Sequence, residues 1–217
     1  IIFIFAVSSI TVISIVMGGW GSNNKYTLMG AFRSAAQMIS YEIPLVMSMV
    51  GVVMIVGSLK MSAIVGAQTD ITKWFVWSQP LGFIIYLTAG IAEVNRVPFD
   101  IPEAESELVA GFHTEYSGMK FAFFFLAEYA NLFLVASVIT TVFLGGWQSP
   151  FGRYTVLPPV VWFMAKAYFM IFIFMWIRWT LPRLRVDRLM AFSWKYLIPG
   201  AFLNIIITGI VMLAAGA

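Results

Sequence analysis

Between residues 93 and 128 the chain carries seven carboxylates: Glu93, Asp100, Glu103, Glu105, Glu107, Glu115 and Glu128. Only Arg96 and Lys120 offset them. Crowded carboxylates at an apolar boundary exchange protons near neutral pH, because like charge and lost hydration both oppose ionisation. Two further charges stand in apolar surroundings, Glu42 two residues before Pro44 and Lys166 twelve residues before Arg178. At 1.5 Å per helical residue, Lys166 lies about 18 Å from Arg178, and Glu128 about 12 Å from Lys120. An ionisable side chain in the hydrocarbon costs roughly 2.5–3.5 kcal/mol on insertion scales and turns to a bundle interior or to water. These residue types in this setting point to proton or ion handling. A plainer reading stays open for Glu42 and Glu93, whose carboxylates at span ends would reach headgroup water. It also stays open for part of the acidic stretch. Asp100 with Glu103 fits a capping box, Pro102 a first helical turn and Gly111 a helix end. Glu103 and Glu107 then share a face and Glu105 does not. Capping leaves Glu105, Glu107, Glu115 and Glu128 unexplained.

The elements that hold these residues are membrane helices. Of the 217 residues 61% are apolar and 11% charged, against about 45–50% and about 25% in a soluble domain. A bilayer span needs about 20 apolar residues. Uncharged or nearly uncharged runs predict six helices, at about 1–18, 39–58, 75–93, 119–144, 159–180 and 197–215. The fold class is therefore all-α, a polytopic transmembrane bundle forming one integral-membrane domain over 1–217, with an acidic loop at 94–118. Continuous runs of this length do not suit the short alternating strands of a membrane β-barrel. The first, third and fifth connections, with Arg178 at a helix end, hold nine basic residues, and the second and fourth hold Lys60, Lys73 and Arg153. That asymmetry places the odd loops on the cytoplasmic or matrix side. Trp20, Trp74, Trp77, Trp147, Trp179 and Trp194 fall near span ends, as interfacial anchors do. The chain opens at Ile1 within an apolar run, and the expectation is an N-terminus further upstream.

Other chemistries lack their residues. Without cysteine there is no disulfide frame, thiolate metal site or thiol nucleophile. His113 is the one histidine and reads as a loop residue with no metal role; no metal site is expected. No phosphate-binding or dinucleotide-binding glycine motif occurs, nor H-E-x-x-H. The net charge of +3 gathers in no patch suited to nucleic acid.

The segment AEVNRVPFDIPEAESELVAGFHTEYSGMKFAFFFLAEYAN resembles the signature region of the quinone-channel membrane subunit of respiratory complex I, the family of NADH:quinone oxidoreductase subunit 1. GAFRSAAQMISYEIPL resembles a second signature, and WIRWTLPRLRVDRLMAFSWKYLIP the family's C-terminal loop. The family has eight membrane helices, and the six read here would be its third to eighth. The resemblance implies a proton-translocating complex in which this subunit walls the quinone-access chamber and has no redox centre. NADH, FMN and iron–sulfur clusters would belong to other subunits, with quinone as substrate. Phe99, Asp100, Phe121, Phe125 and Arg178 match chamber positions. Glu42, Glu93, Glu103, Glu105, Glu107 and Glu128 match the acidic funnel, with Lys166 added from its depth and Arg33 and Arg96 as positive partners. Arg183, Arg185 and Asp187 would meet the peripheral arm. The implied partners are peripheral quinone-reducing subunits, antiporter-like membrane subunits and lipid, in a bacterial plasma membrane rather than a mitochondrial one.

Three other expectations compete. A homologous component of a membrane-bound hydrogenase need not use quinone. A stand-alone proton or cation channel would conduct by itself. A structural anchor would tolerate neutral replacements in the acidic cluster.

Overall fold

The computed structural model describes residues 1–100, 111–151 and 157–215. In the described residues α1 (Ile2–Ser8) and α2 (Ile10–Gly21) form the first span, followed by α3 (Lys25–Val56) and the short α4 (Met61–Ala67). Next come α5 (Phe75–Ser78), α6 (Pro80–Glu93), α7 (Met119–Phe143) and α8 (Pro159–Thr180). The last span joins α9 (Val186–Phe192) through a π-helical turn, Ser193–Leu197, to α10 (Ile198–Ala215). Five of these helical stretches are long and apolar enough to cross a bilayer, and Ile71–Ser78 with α6, bent by 73°, brings the count to six where the pair is taken as one span. The chain is a multi-pass, all-helical membrane protein.

Three predicted spans shift. The span expected at 39–58 begins at Lys25, where the Asn24 side chain accepts from the Tyr26 N–H at 3.0 Å and so caps the helix. Its 32 residues reach about 48 Å at 1.5 Å each, well past a hydrocarbon core of about 30 Å. Lys25 and Arg33, read as loop residues, therefore ride on the helix. The span expected at 75–93 is broken at Gln79, with a 73° bend. Pro80 explains the break, since it lacks an N–H and disfavours helical geometry in the residue before it. The last helix starts at Val186 rather than 197, carrying Arg188 and Lys195 into helical turns.

α3 lies at the centre. Tyr41, Leu45, Met49 and Val52 recur at helical spacing, are all at most 2% exposed, and pack in one core with Ile85, Tyr86 and Ala89 of α6 and Ile139 and Phe143 of α7. Pro44 within α3 cannot donate to the Ser40 carbonyl. The Ser193 hydroxyl fills that vacancy, donating to Ser40 O at 2.7 Å, and Tyr41 donates to Leu189 O at 2.9 Å. These bonds lock the π-turn onto the proline site. A backbone group freed inside a membrane needs such a partner.

On the even-loop side a second polar knot closes the bundle. Gln68, fully buried, donates to Thr141 O and Val142 O and accepts from the Phe75 and Gly145 N–H groups. Trp74, expected as an interfacial anchor, instead turns inward beneath Lys166, whose Nζ lies 4.5 Å from its ring centroid. Trp20, Trp77, Trp147, Trp179 and Trp194 are exposed.

Candidate functional site

The acidic site is built where α6 ends. Gln37 of α3 is fully buried, and its Nε2 donates to Ala92 O and Phe99 O, each at 2.7 Å. One side chain thus satisfies a helix-end carbonyl and pins the following loop onto α3. The chain turns at Asn95, whose φ of 53° is left-handed, a conformation that asparagine accepts better than most residues. Phe99 then packs against Tyr41, the rings tilted by 52° with centroids 5.6 Å apart. The loop is also tied to the α8–α9 connection. Arg183 donates from Nε to Asp100 O at 2.6 Å and pairs through Nη2 with Asp100 Oδ2 at 3.0 Å.

Glu93, the last residue of α6, is 7% exposed. It lines two adjoining clefts. In the smaller it meets Glu42, Ser8, Thr11, Met38 and Asn131, and Glu42 accepts a hydrogen bond from the Ser9 hydroxyl. In the larger, of about 170 Å³, it meets Asn95, His113, Glu128 and Asn131 across a largely apolar wall. Glu128 in turn pairs with Arg96, Nε to Oε1 at 3.3 Å, and the guanidinium carbon lies 4.8 Å from the Tyr129 ring centroid. The result is a line of carboxylates, Glu42–Glu93–Glu128, with Arg96 fixed at one end.

His113 is the residue that sequence reasoning passed over. It is buried at 7% exposure, with ring contacts to Phe112, Phe121, Phe124 and Phe125. Its segment is pinned at three points. Asn24 Nδ2 donates to Glu115 at 2.7 Å, the Tyr116 hydroxyl donates to Gly18 O at 2.9 Å, and Gly30 of α3 brings its backbone against Gly111, where an added Cβ would stand 3.1 Å from Gly111 Cα. Burial pushes the His113 imidazole below its ordinary pKa, so it is held neutral. Ser9, Gln37, Asn131 and Tyr129 were missed as well. Their one sequence signal is a polar group within an apolar run.

The other predicted positions divide. Phe121 and Phe125 pack in a tilted pair with centroids 4.7 Å apart, beside His113. Arg33 is half-buried on α3, and Arg178 half-buried near the end of α8. Asp100 and Arg183, assigned to different surfaces, are bonded to each other. Arg185 and Asp187 form an exposed pair at 3.4 Å. Lys166 stands apart, on the opposite side of the bundle, donating to Leu144 O, Gly146 O and Gln148 O at 2.7, 3.1 and 2.7 Å. Glu103, Glu105 and Glu107, with the proposed Asp100–Glu103 capping box, lie outside the described residues. Among the described residues no cluster of three metal-ligating side chains occurs.

Comparison with known proteins gives consistent relatives. The chain is similar to the NADH-quinone oxidoreductase H subunit of Dehalococcoides mccartyi strain CBDB1, 57% identical over 215 residues, which is 99% of this chain and 59% of that protein. The H subunits of the same enzyme from Geobacillus kaustophilus strain HTA426 and Bacillus cytotoxicus are 54% and 53% identical, each over 97% of this chain and 62% of its relative. The chain thus spans about three-fifths of the length of the curated relatives it matches. Residues 1–209 match the family described as NADH dehydrogenase. With that match covering nearly the whole chain, the protein belongs to the NADH dehydrogenase family.

Proposed function

We propose that this chain is part of the membrane subunit of a proton-translocating NADH:quinone oxidoreductase, where it walls the quinone-access chamber and carries the acidic path that couples quinone reduction to proton pumping. The observation that carries this reading is the placement of buried Glu93, which shares one cleft with Glu42 and another with Glu128 and ends the helix from which the loop bearing Phe99 and Asp100 leaves. A charge change on the quinone side of that loop has a short route to the carboxylate line. The names of the relatives support the reading for the whole subunit.

In this account Phe99, Phe121, Phe125, Asp100 and Arg178 border the chamber. NADH, flavin and iron–sulfur chemistry belong to neighbouring subunits, which meet this one near Arg183, Arg185 and Asp187. Quinone reduced at the chamber head takes up protons, and the new charge balance shifts proton occupancy along Glu128, Glu93 and Glu42. Arg96 tunes the first of these, and Arg33, Glu103, Glu105 and Glu107 extend the same path. Lys166 joins it only through the far side of the bundle. Antiporter-like membrane subunits receive the signal beyond Glu42, in a bacterial plasma membrane.

The test is Glu93→Gln in the full-length protein in its own membranes. Inhibitor-sensitive NADH:quinone turnover and proton uptake should fall by about an order of magnitude. NADH–ferricyanide activity should stay unchanged. Full turnover with full pumping would contradict the reading.

A further inference from the structure

We infer that His113 is a proton-carrying residue, passing protons between water at the odd-loop face and the cleft shared by Glu93 and Glu128. The inference rests on the acidic-path reading above and adds to it the group through which that path is filled.

The geometry carries it. The imidazole is held edge and face by four phenylalanine rings, at centroid distances from 3.7 to 6.2 Å, so packing sets the plane of the ring, which a half-turn preserves. Its side chain lines the cleft of about 170 Å³, which has room for several waters and is also lined by Glu93, Asn95, Glu128 and Asn131. Neither ring nitrogen enters a hydrogen bond among the described residues. Neither nitrogen is among the fully enclosed polar atoms that lack a partner, so the ring nitrogens keep access to solvent space. Just beyond, Glu115, Tyr116, Ser117 and Lys120 line a separate polar recess with Gly21 and Ser22. His113 lines the acidic cleft, and the recess begins two residues further along the chain, at Glu115.

Among the described residues, the titratable groups facing it are few. α6 supplies Glu93 and α7 supplies Glu128, itself paired with Arg96. Among the described residues α2 and α3 give the cleft only Thr11, Ser14, Ile15 and Met38, none of which titrates. Glu115, Tyr116 and Lys120 lie on the recess side. A neutral imidazole both accepts and donates. It takes a proton from water on one nitrogen and releases the proton on the other to a cleft water, ending neutral in the opposite tautomer. A half-turn of the ring resets it. Burial favours the neutral ring that this exchange requires.

The experiment uses the full-length protein in its native membranes with His113→Ala, His113→Gln and His113→Phe, alongside Glu93→Gln. Coupled turnover is followed with and without added imidazole. His113→Ala should slow by about ten-fold, below the 10²–10⁴ of a direct acid–base group because cleft water carries part of the flow. Imidazole should restore it. His113→Phe and His113→Gln should be slow and unresponsive to imidazole, with NADH–ferricyanide activity unchanged throughout. Normal turnover of His113→Phe, or failure of imidazole to restore His113→Ala, would overturn the inference. If those failures accompany a coupling defect in Glu93→Gln, the acidic-path reading stands without His113. If Glu93→Gln is also normal, both fall.

Discussion

Arg96 Nε lies 3.3 Å from Glu128 Oε1 while the guanidinium rests on the Tyr129 ring at 4.8 Å, so one buried cation is shared between a carboxylate and an aromatic face. Removing one partner of a buried ion pair costs about 3–5 kcal/mol, because the other charge is left behind. Glu128 keeps some solvent contact, with its side chain 17% exposed, which places Arg96→Met near the lower end, at about 3 kcal/mol. Arg96→Met combined with Glu128→Gln removes both charges and should recover more than half of that loss. Thermal melting of the full-length protein in nanodiscs checks both values. Equal losses for the single and double variants would show that the pair is not coupled.

The Ser193–Ser40–Pro44 arrangement makes a second prediction, for a double-mutant cycle. Ser193→Ala leaves the Ser40 carbonyl unbonded and should cost about 1–3 kcal/mol. In a Pro44→Ala background the new N–H of residue 44 can bond Ser40 O along the helix, so the same Ser193→Ala change should cost less. The coupling is expected at about 1 kcal/mol. Melting temperatures of the four proteins test it, and strict additivity would contradict the assignment of the hydroxyl to the proline vacancy.

For His113 the pH dependence has a definite sign. Burial lowers its pKa below the ordinary 6.5, so the unfolded chain takes up this proton at a higher pH than the folded one. Its neutral state therefore contributes stability that is present above pH 6.5 and is lost as pH falls below it toward the folded value. His113→Gln lacks this proton site. Between about pH 7.5 and about pH 5.5 it should lose less melting temperature than the unchanged protein. Parallel losses in the two proteins would contradict the burial-driven shift.

The long apolar helices were legible because continuous apolar length is their cause, and the bilayer imposes it on sequence. Their ends were less so. Lys25, Arg33, Arg188 and Lys195 interrupt the uncharged runs, yet the helices continue through them on the odd-loop side, where charge is tolerated. The break before Pro80 was written in the residue itself. At the site, Glu42, Glu93 and Glu128 stood out as charges in apolar surroundings. Gln37 did not: its two carbonyl partners, on Ala92 and Phe99, are 55 and 62 residues away in sequence. Lys166 shows the opposite case. Its charge was plain, but its partners come from the 144–148 turn, so depth along one helix gave no view of what it touches. His113 looked like a loop residue because the phenylalanines that bury it on α7 follow a glycine turn at Gly118.

The most direct measurement is proton uptake per quinone reduced in native membranes carrying full-length Glu93→Gln, with assembly checked by NADH–ferricyanide activity. The account predicts an assembled complex in which quinone turnover and proton uptake both fall by about ten-fold. An assembled complex that reduces quinone and pumps at the unchanged rate would show that the Glu42–Glu93–Glu128 line carries no coupling.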